Sequence, residues 1–217
     1  MYQLKQEGMT LIEMLVSMIA GLLVVAGALS LFSSIMVAGN TNLMLSRLNQ
    51  DVQAVTDLMA RDIQRSGYHV DAADNMSAGM PASSSAPARY LFSPANDLYN
   101  SDASAPPDCI RVKYWDERRT SNEAVGIIYS HDKKEKIIKV KEVGPLDSTE
   151  LNSLCYSGSK IMAEQEISID DVRFELVPGS SAAGMRSIRL TLSASHISRP
   201  ALSVTLQREV KLRNDGY

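Results

Sequence analysis

Gly8-Met9-Thr10-Leu11-Ile12-Glu13 opens a long apolar run, and the reading of that junction decides the fold. No residue from Met14 to Ser46 is charged, and Met14 to Ala38 is almost wholly Leu, Val, Ile, Met, Ala, Phe and Gly with a few Ser. That stretch is about 25 residues long, enough for a helix to cross the ~30 Å hydrocarbon core of a bilayer. One carboxylate, Glu13, stands at its entrance. An acidic side chain deep in a membrane costs roughly 2.5–3.5 kcal/mol. The Leu, Ile, Val and Phe residues of Met14–Ala38 together contribute roughly −4 to −7 kcal/mol toward insertion, so the segment inserts in spite of Glu13.

Charges around the run are sparse. Lys5 and the α-amino group precede it, Glu7 offsets one of them, and Arg47 is the first charge beyond. This pattern is consistent with an N-terminus on the cytoplasmic side. An ordinary secretory signal has an apolar region of roughly 7–15 residues before a small-residue cleavage site. Val37-Ala38-Gly39 imitates such a site, but the run ahead of it is too long. A plain single-pass anchor with an incidental Glu is the other alternative.

A short polar leader ending in Gly, then a hydrophobic residue, Thr, Leu, Ile and Glu, then a long apolar helix, resembles the class III signal of type IV pilins and pseudopilins. Met9 stands where Phe is more usual, a mild change because Met is also apolar and flexible. The resemblance implies a leader of Met1 to Gly8. It implies a cut between Gly8 and Met9 by a membrane-embedded prepilin peptidase, with methylation of the new N-terminus at Met9. It also gives Thr10 and Glu13 a role in assembly, Glu13 pairing with the N-terminal amine of a neighbouring subunit. Losing one partner of such a pair in a low-dielectric core is costly, so the pair selects register.

The chain has 217 residues and a formal net charge of −3, with a pI near 5.7. Leader and membrane helix leave enough for one soluble domain of ordinary size. The charge balance does not point to nucleic acid as the main partner. After the apolar run, Met44, Leu48, Val52, Val55, Met59 and Ile63 recur at spacings of four and three, an amphipathic stripe. Asp57 and Arg61 are spaced as a favourable i,i+4 ion pair. No proline falls between Met9 and Tyr68, and Gly67 is a natural stop. One helix from Thr10 to Ser66 is expected, roughly 85 Å long at 1.5 Å per residue.

From His69 to Asp108 the residues are Ser-, Ala-, Pro-, Asn- and Asp-rich, which reads as an irregular connection. Tyr90-Leu91-Phe92 and Leu98-Tyr99 are placed to tack it down. From Cys109 the pattern is β. Val125–Tyr129 and Ile137–Lys141 flank a charged turn and read as a hairpin. Leu154–Ser157 and Lys160–Ala163 read as a second, shorter hairpin around Gly158. Val172–Leu176, Ile188–Leu192, and Val204–Gln207 with Val210–Leu212 follow, each with one apolar and one polar face. The expectation is a single antiparallel sheet with one side on the helix and the other in water.

The fold class expected is therefore α+β, the ladle of type IV pilins. Its parts are leader 1–8, transmembrane and filament-core helix 9–39, amphipathic helix half 40–67, irregular region 68–108 and antiparallel β domain 109–217. Cys109 and Cys155 both lie beyond the membrane run, where a periplasmic location permits a disulfide; two buried free thiols are the alternative. A bridge would close a loop of about 46 residues, near 4 kcal/mol in the loop-entropy description.

No active site is legible. His69, His131 and His196 stand far apart, and no phosphate loop, nucleophile elbow or metal spacing is present. Asp170-Asp171 with Glu164 and Glu166 reads as a solvated acidic turn, not a cation loop. Arg118 and Arg119 beside Tyr114 and Trp115 read as a charged strand end, with a grip on a single nucleic-acid strand as the alternative. No enzyme activity, cofactor or metal is expected.

Leu58-Met59-Ala60-Arg61-Asp62-Ile63-Gln64-Arg65-Ser66-Gly67-Tyr68 resembles the Arg-Asp-Ile-Arg-x-Ala-Gly-Tyr ending of the helix in PilW-type minor pilins. Gln64 and Ser66 depart from it conservatively. Arg208–Asn214 resembles the final strand of the same proteins. J-type pseudopilins of type II secretion have a related helix ending. Major pilins commonly carry a helix-breaking proline in the apolar half; here Gly21, Gly27 and Ser30 stand in that region. The resemblance implies a minor pilin held by one membrane pass, domain in the periplasm, later part of a surface filament. Its implied partners are other minor and major pilins, the prepilin peptidase, the assembly platform and a tip adhesin, in priming of a filament for motility, adhesion or DNA uptake. A J-type pseudopilin is the alternative, and a membrane-anchored nucleic-acid-binding module a more distant one.

Overall fold

The computed structural model describes residues 10–70, 90–120, 124–144, 150–162, 165–177 and 186–212. The cut at Gly8 and Met9, the Met76–Ala88 stretch and Arg213-Asn214 lie outside the described residues. The chain divides into two compact units, one ending at Ser46 and one beginning at Arg47.

One helix, α1 (Leu11–Arg65), runs unbroken through the apolar and amphipathic stretches. It ends where expected: Gly67 takes φ 82°, and its N–H is captured by the Lys113 carbonyl at 2.9 Å. In the first unit the helix buries nothing. Leu11 to Val37 present large apolar side chains that are each at least 52% exposed.

In the second unit Leu48, Val52, Val55, Met59 and Ile63 are all buried, as the stripe predicts. Fully burying five such side chains contributes roughly 8–15 kcal/mol gross, before chain entropy is charged against it. The stripe meets two sheets, where the sequence pattern predicts one. The first has β1 (Leu98–Tyr99), β2 (Cys109–Trp115), β3 (Ala124–Asp132), β4 (Ile137–Val143) and β5 (Ser159–Lys160), in that spatial order. The second has β6 (Ile167–Val177), β7 (Ser187–His196) and β8 (Arg199–Lys211). All pairings are antiparallel. One core joins the helix stripe to Ile110, Val112 and Tyr114 of the first sheet and Phe174, Ile188, Leu190 and Leu192 of the second. The fold is α+β, as expected.

Three local expectations are corrected. β2 is not half in water: its alternate residues Arg111 and Lys113 are buried too. A short helix, α2 (Pro94–Asp97), supplies the reason. The Asp97 carboxylate is wholly buried and takes Arg111 Nε at 2.8 Å and Lys113 Nζ at 3.0 Å. Second, Leu154–Ser157 is not a strand. The chain forms α3 (Leu151–Leu154), then turns through Gly158 at φ 115° into the two-residue β5, which pairs with β4. A Cβ at Gly158 would lie 2.3 Å from the Val140 carbonyl oxygen, so the close approach requires glycine. Third, Asp57 does not pair with Arg61. Its carboxylate is taken by Arg208 of β8, across the helix–sheet seam. The hairpin through the charged turn stands, with β3 and β4 paired from Asp132↔Ile137. Tyr90 and Phe92 are buried tacks, as expected.

Candidate assembly site at the helix start

Thr10 precedes the first helical residue and Glu13 is the acid of the first turn. The Glu13 N–H donates to Thr10 Oγ1 at 3.4 Å, and the Thr10 hydroxyl points at Glu13 Oε2 at 3.5 Å. The two side chains thus close on each other at the N-terminus, a variant of the capping box. The Thr10 carbonyl accepts the first helical bond, from Met14 N–H at 3.2 Å. A carboxylate here also faces the positive end of the helix dipole. The Thr-x-x-Glu spacing is legible in the sequence as a helix-start signature, a role beyond the assembly role that the resemblance implies.

Beyond Glu13 the helix offers chemistry of one kind. The hydroxyls of Ser17, Ser34 and Thr41 bond back to the carbonyls of Met14, Ser30 and Val37 at 2.9–3.0 Å. Their polarity is thereby spent within the helix, the arrangement an apolar surrounding demands. A Cβ added at Gly21, Gly27 or Gly39 would meet nothing within 4 Å. Among the described residues this is the one helix long and apolar enough to cross a membrane.

The second unit holds the other residues singled out in the sequence. Cys109 and Cys155 are joined, with Cα atoms 6.1 Å apart. Tyr156, left-handed at φ 62°, follows the bridge and lays its hydroxyl on Asp108 at 2.7 Å. Burial and that bond push its phenol up to about 12. Arg118 grips Asp116 through two nitrogens at 3.0 and 3.2 Å, and its hydrogen bond holds that carboxyl well below the usual range. Arg119 pairs with Glu142 at 2.6 Å. Both arginines are therefore charge-compensated, and Tyr114 is buried. His69 stacks near Tyr90 and Trp115, with centroids 5.1 and 5.2 Å away. His131 is buried and desolvation lowers its pKa, with its Nε2 against the Ile169 carbonyl at 3.2 Å. Asp171 pairs with Arg173, and Asp170 accepts from Ser195 at 3.1 Å. No cluster of metal-ligating side chains occurs among the described residues.

Comparison with known proteins places these features. Residues 3–29 match the model of the prokaryotic N-terminal methylation motif. Residues 41–212 match the model of prepilin peptidase-dependent protein B. The chain belongs to the prepilin peptidase-dependent protein B family. It is a pilin-like protein, headed by an N-terminal methylation motif. No curated protein and no solved structure matches it. Thr10, Glu13 and the apolar helix as far as Leu29 fall within the matched methylation motif. The sequence did not flag the buried carboxylates Asp62 and Asp97 of the second unit.

Proposed function

We propose that this pilin-like protein is a minor pilin of a bacterial type IV pilus and primes filament assembly. The leader is cut between Gly8 and Met9, and Met9 is methylated. The mature protein sits in the inner membrane by one pass with its domain in the periplasm. It leaves by packing its apolar helix against the helices of other minor and major pilins. Glu13 takes the N-terminal amine of a neighbour and sets register.

One observation carries the reading: an apolar helix surface from Leu11 to Val37 whose large side chains are all exposed, headed by a carboxylate. Soluble proteins rarely leave contiguous apolar patches beyond a few hundred Å², so this surface calls for lipid or neighbouring helices. Because it carries no charge beyond Glu13, the same surface suits both surroundings in turn.

The test is the mass of the N-terminal peptide from native membranes and from sheared surface filaments. A methylated Met9 terminus in both fractions is expected. Methylated Met9 in membranes but absent from sheared filaments would favour the J-type pseudopilin of a secretion system. An intact Met1 would leave a simple anchor and overturn the proposal.

A further inference from the structure

The two sheets treat their edges differently. Those of the first sheet are two residues long, β1 at one side and β5 at the other. Short edge strands are one device by which proteins prevent unwanted pairing. The second sheet ends in β8, which at 13 residues is the longest strand described, and most of its residues are half or fully exposed. Its start is blunted: Pro200 lies there, and the register slips between Ser195↔Ser203 and His196↔Arg199. From Ser203 to Lys211 the ladder to β7 is regular. Within it, Ser203-Val204-Thr205-Leu206-Gln207 carries no charge. Among the described residues, only β7 hydrogen-bonds to the main chain of these five.

We infer that the outer edge of β8 at Ser203–Gln207 receives an added β-strand from another protein. Main-chain donors and acceptors of the edge supply the attraction, and side chains supply the choice. Val204 and Leu206 are half-exposed and rest on the core, so they ask for apolar residues at alternate positions of the incoming strand. Ser203 and Thr205 face the other way, Thr205 bonded to Ser193 at 2.9 Å, and suit Thr or Ser. Exposed Lys211 continues the edge and suits an acidic end. A second copy of this chain fits less well: antiparallel pairing about Thr205 sets Lys211 opposite Arg199, and like charges directly opposed are unfavourable. The occupant is thus an extended, neutral-centred segment of a different protein with an acidic flank. This stands whether the assembly is a pilus or a pseudopilus.

Amide hydrogen exchange resolved to single residues tests it, on the full chain in detergent micelles. The probe is the peptide acetyl-Glu-Val-Thr-Val-Thr-Val-Glu-amide at millimolar concentration; the control carries Pro for its central Val. In the free protein, alternate amides of Ser203–Gln207 should exchange as exposed groups while those of β7 are slow. The probe should slow those same amides by about ten-fold or more, and the proline peptide should not. Three results overturn the inference: an edge already as slow as β7, no slowing by the probe, or equal slowing by both peptides.

Discussion

The hydroxyl of Tyr129 on β3 donates to the carboxylate of Asp62 on α1 at 2.6 Å, inside the second unit. The Tyr114 hydroxyl approaches the other carboxylate oxygen at 3.5 Å. Arg65, one helical turn on, lies 4.1 Å from the Tyr114 ring centroid and reaches Asp116 at 3.3 Å. An acid on the packed face of the helix is thereby tied to two strands. Tyr129→Phe leaves that acid buried without its best donor. A loss of about 1.5–3 kcal/mol is expected, the usual worth of a hydrogen bond to a charged group. Urea unfolding of the full chain in micelles measures it, and an unchanged midpoint would show that Asp62 draws its support from elsewhere.

The same carboxylate sets a pH dependence. Burial raises the Asp62 pKa, outweighing the Tyr129 hydrogen bond and the Arg65 charge that lower it. Between the ordinary aspartate value and the raised one, the folded protein holds a proton that the unfolded chain has released. Stability from this group is therefore complete at low pH and is lost as pH rises through the folded value. Asp62→Asn has no such proton. The stability of the natural protein relative to Asp62→Asn should rise as pH is lowered from neutral to the ordinary aspartate value. Parallel denaturation curves at a series of pH values would show the gap, and a constant gap would contradict the raised pKa.

Asp97 carries the most concentrated buried charge. Asp97→Ala strands Arg111 and Lys113 without their anion and removes the acceptor of the Ser93 N–H at 2.8 Å. Breaking a buried pair by losing one partner typically costs about 3–5 kcal/mol. Adding Arg111→Met and Lys113→Met to Asp97→Ala should recover part of that loss, because the uncompensated cations go with it. Thermal unfolding of the single and triple variants compares them. A triple variant less stable than Asp97→Ala would show that the stems, not the charges, do the packing.

The legible parts of this protein are those set by local pattern. Leu48, Val52, Val55, Met59 and Ile63 announced the packed stripe, and Gly67 its end, because helix periodicity and termination are written within a few residues. Gly8 to Glu13 announced the N-terminal methylation motif for the same reason. The two-sheet division was not legible, since strands of similar alternation serve either sheet and only tertiary pairing sorts them. Arg111 and Lys113 misled because a charged alternate position reads as solvent unless its partner is known. That partner, Asp97, lies in a stretch whose composition reads as loop. The seam pair Asp57–Arg208 joins residues 151 apart in sequence, a distance no periodicity reports.

The bridge between Cys109 and Cys155 spans 46 residues and anchors α3 and the β5 return to β2. Cutting it restores that loop's freedom to the unfolded chain, a loss near 4 kcal/mol in the loop-entropy description. Urea midpoints with and without reductant should differ accordingly, and Cys155→Ser should match the reduced protein. Gly158→Ala, next to the bridge, should also destabilise, because its Cβ collides with the Val140 carbonyl at a left-handed φ. Coincident curves with and without reductant would mean that the 150–160 segment unfolds without consequence for the rest.

The place of Glu13 at the helix start and the pairing proposed for it are separable, and one substitution parts them. As the acid of the first turn it closes a box with Thr10, a role that Gln fills as well as Glu. As the proposed partner of a neighbour's amine it would need its charge, which Gln lacks. Glu13→Gln should therefore keep the helix start intact and be cleaved and methylated like the natural protein, yet fail to enter sheared filaments. Glu13→Ala should fail in the same way, with the helix start also weakened by about 0.3–1 kcal/mol. The readouts are the N-terminal peptide mass in membranes and the amount in the filament fraction. If Glu13→Gln enters filaments normally while Glu13→Ala does not, capping of the helix by Thr10 and Glu13 suffices for assembly, and the pairing of Glu13 with a neighbouring amine is wrong.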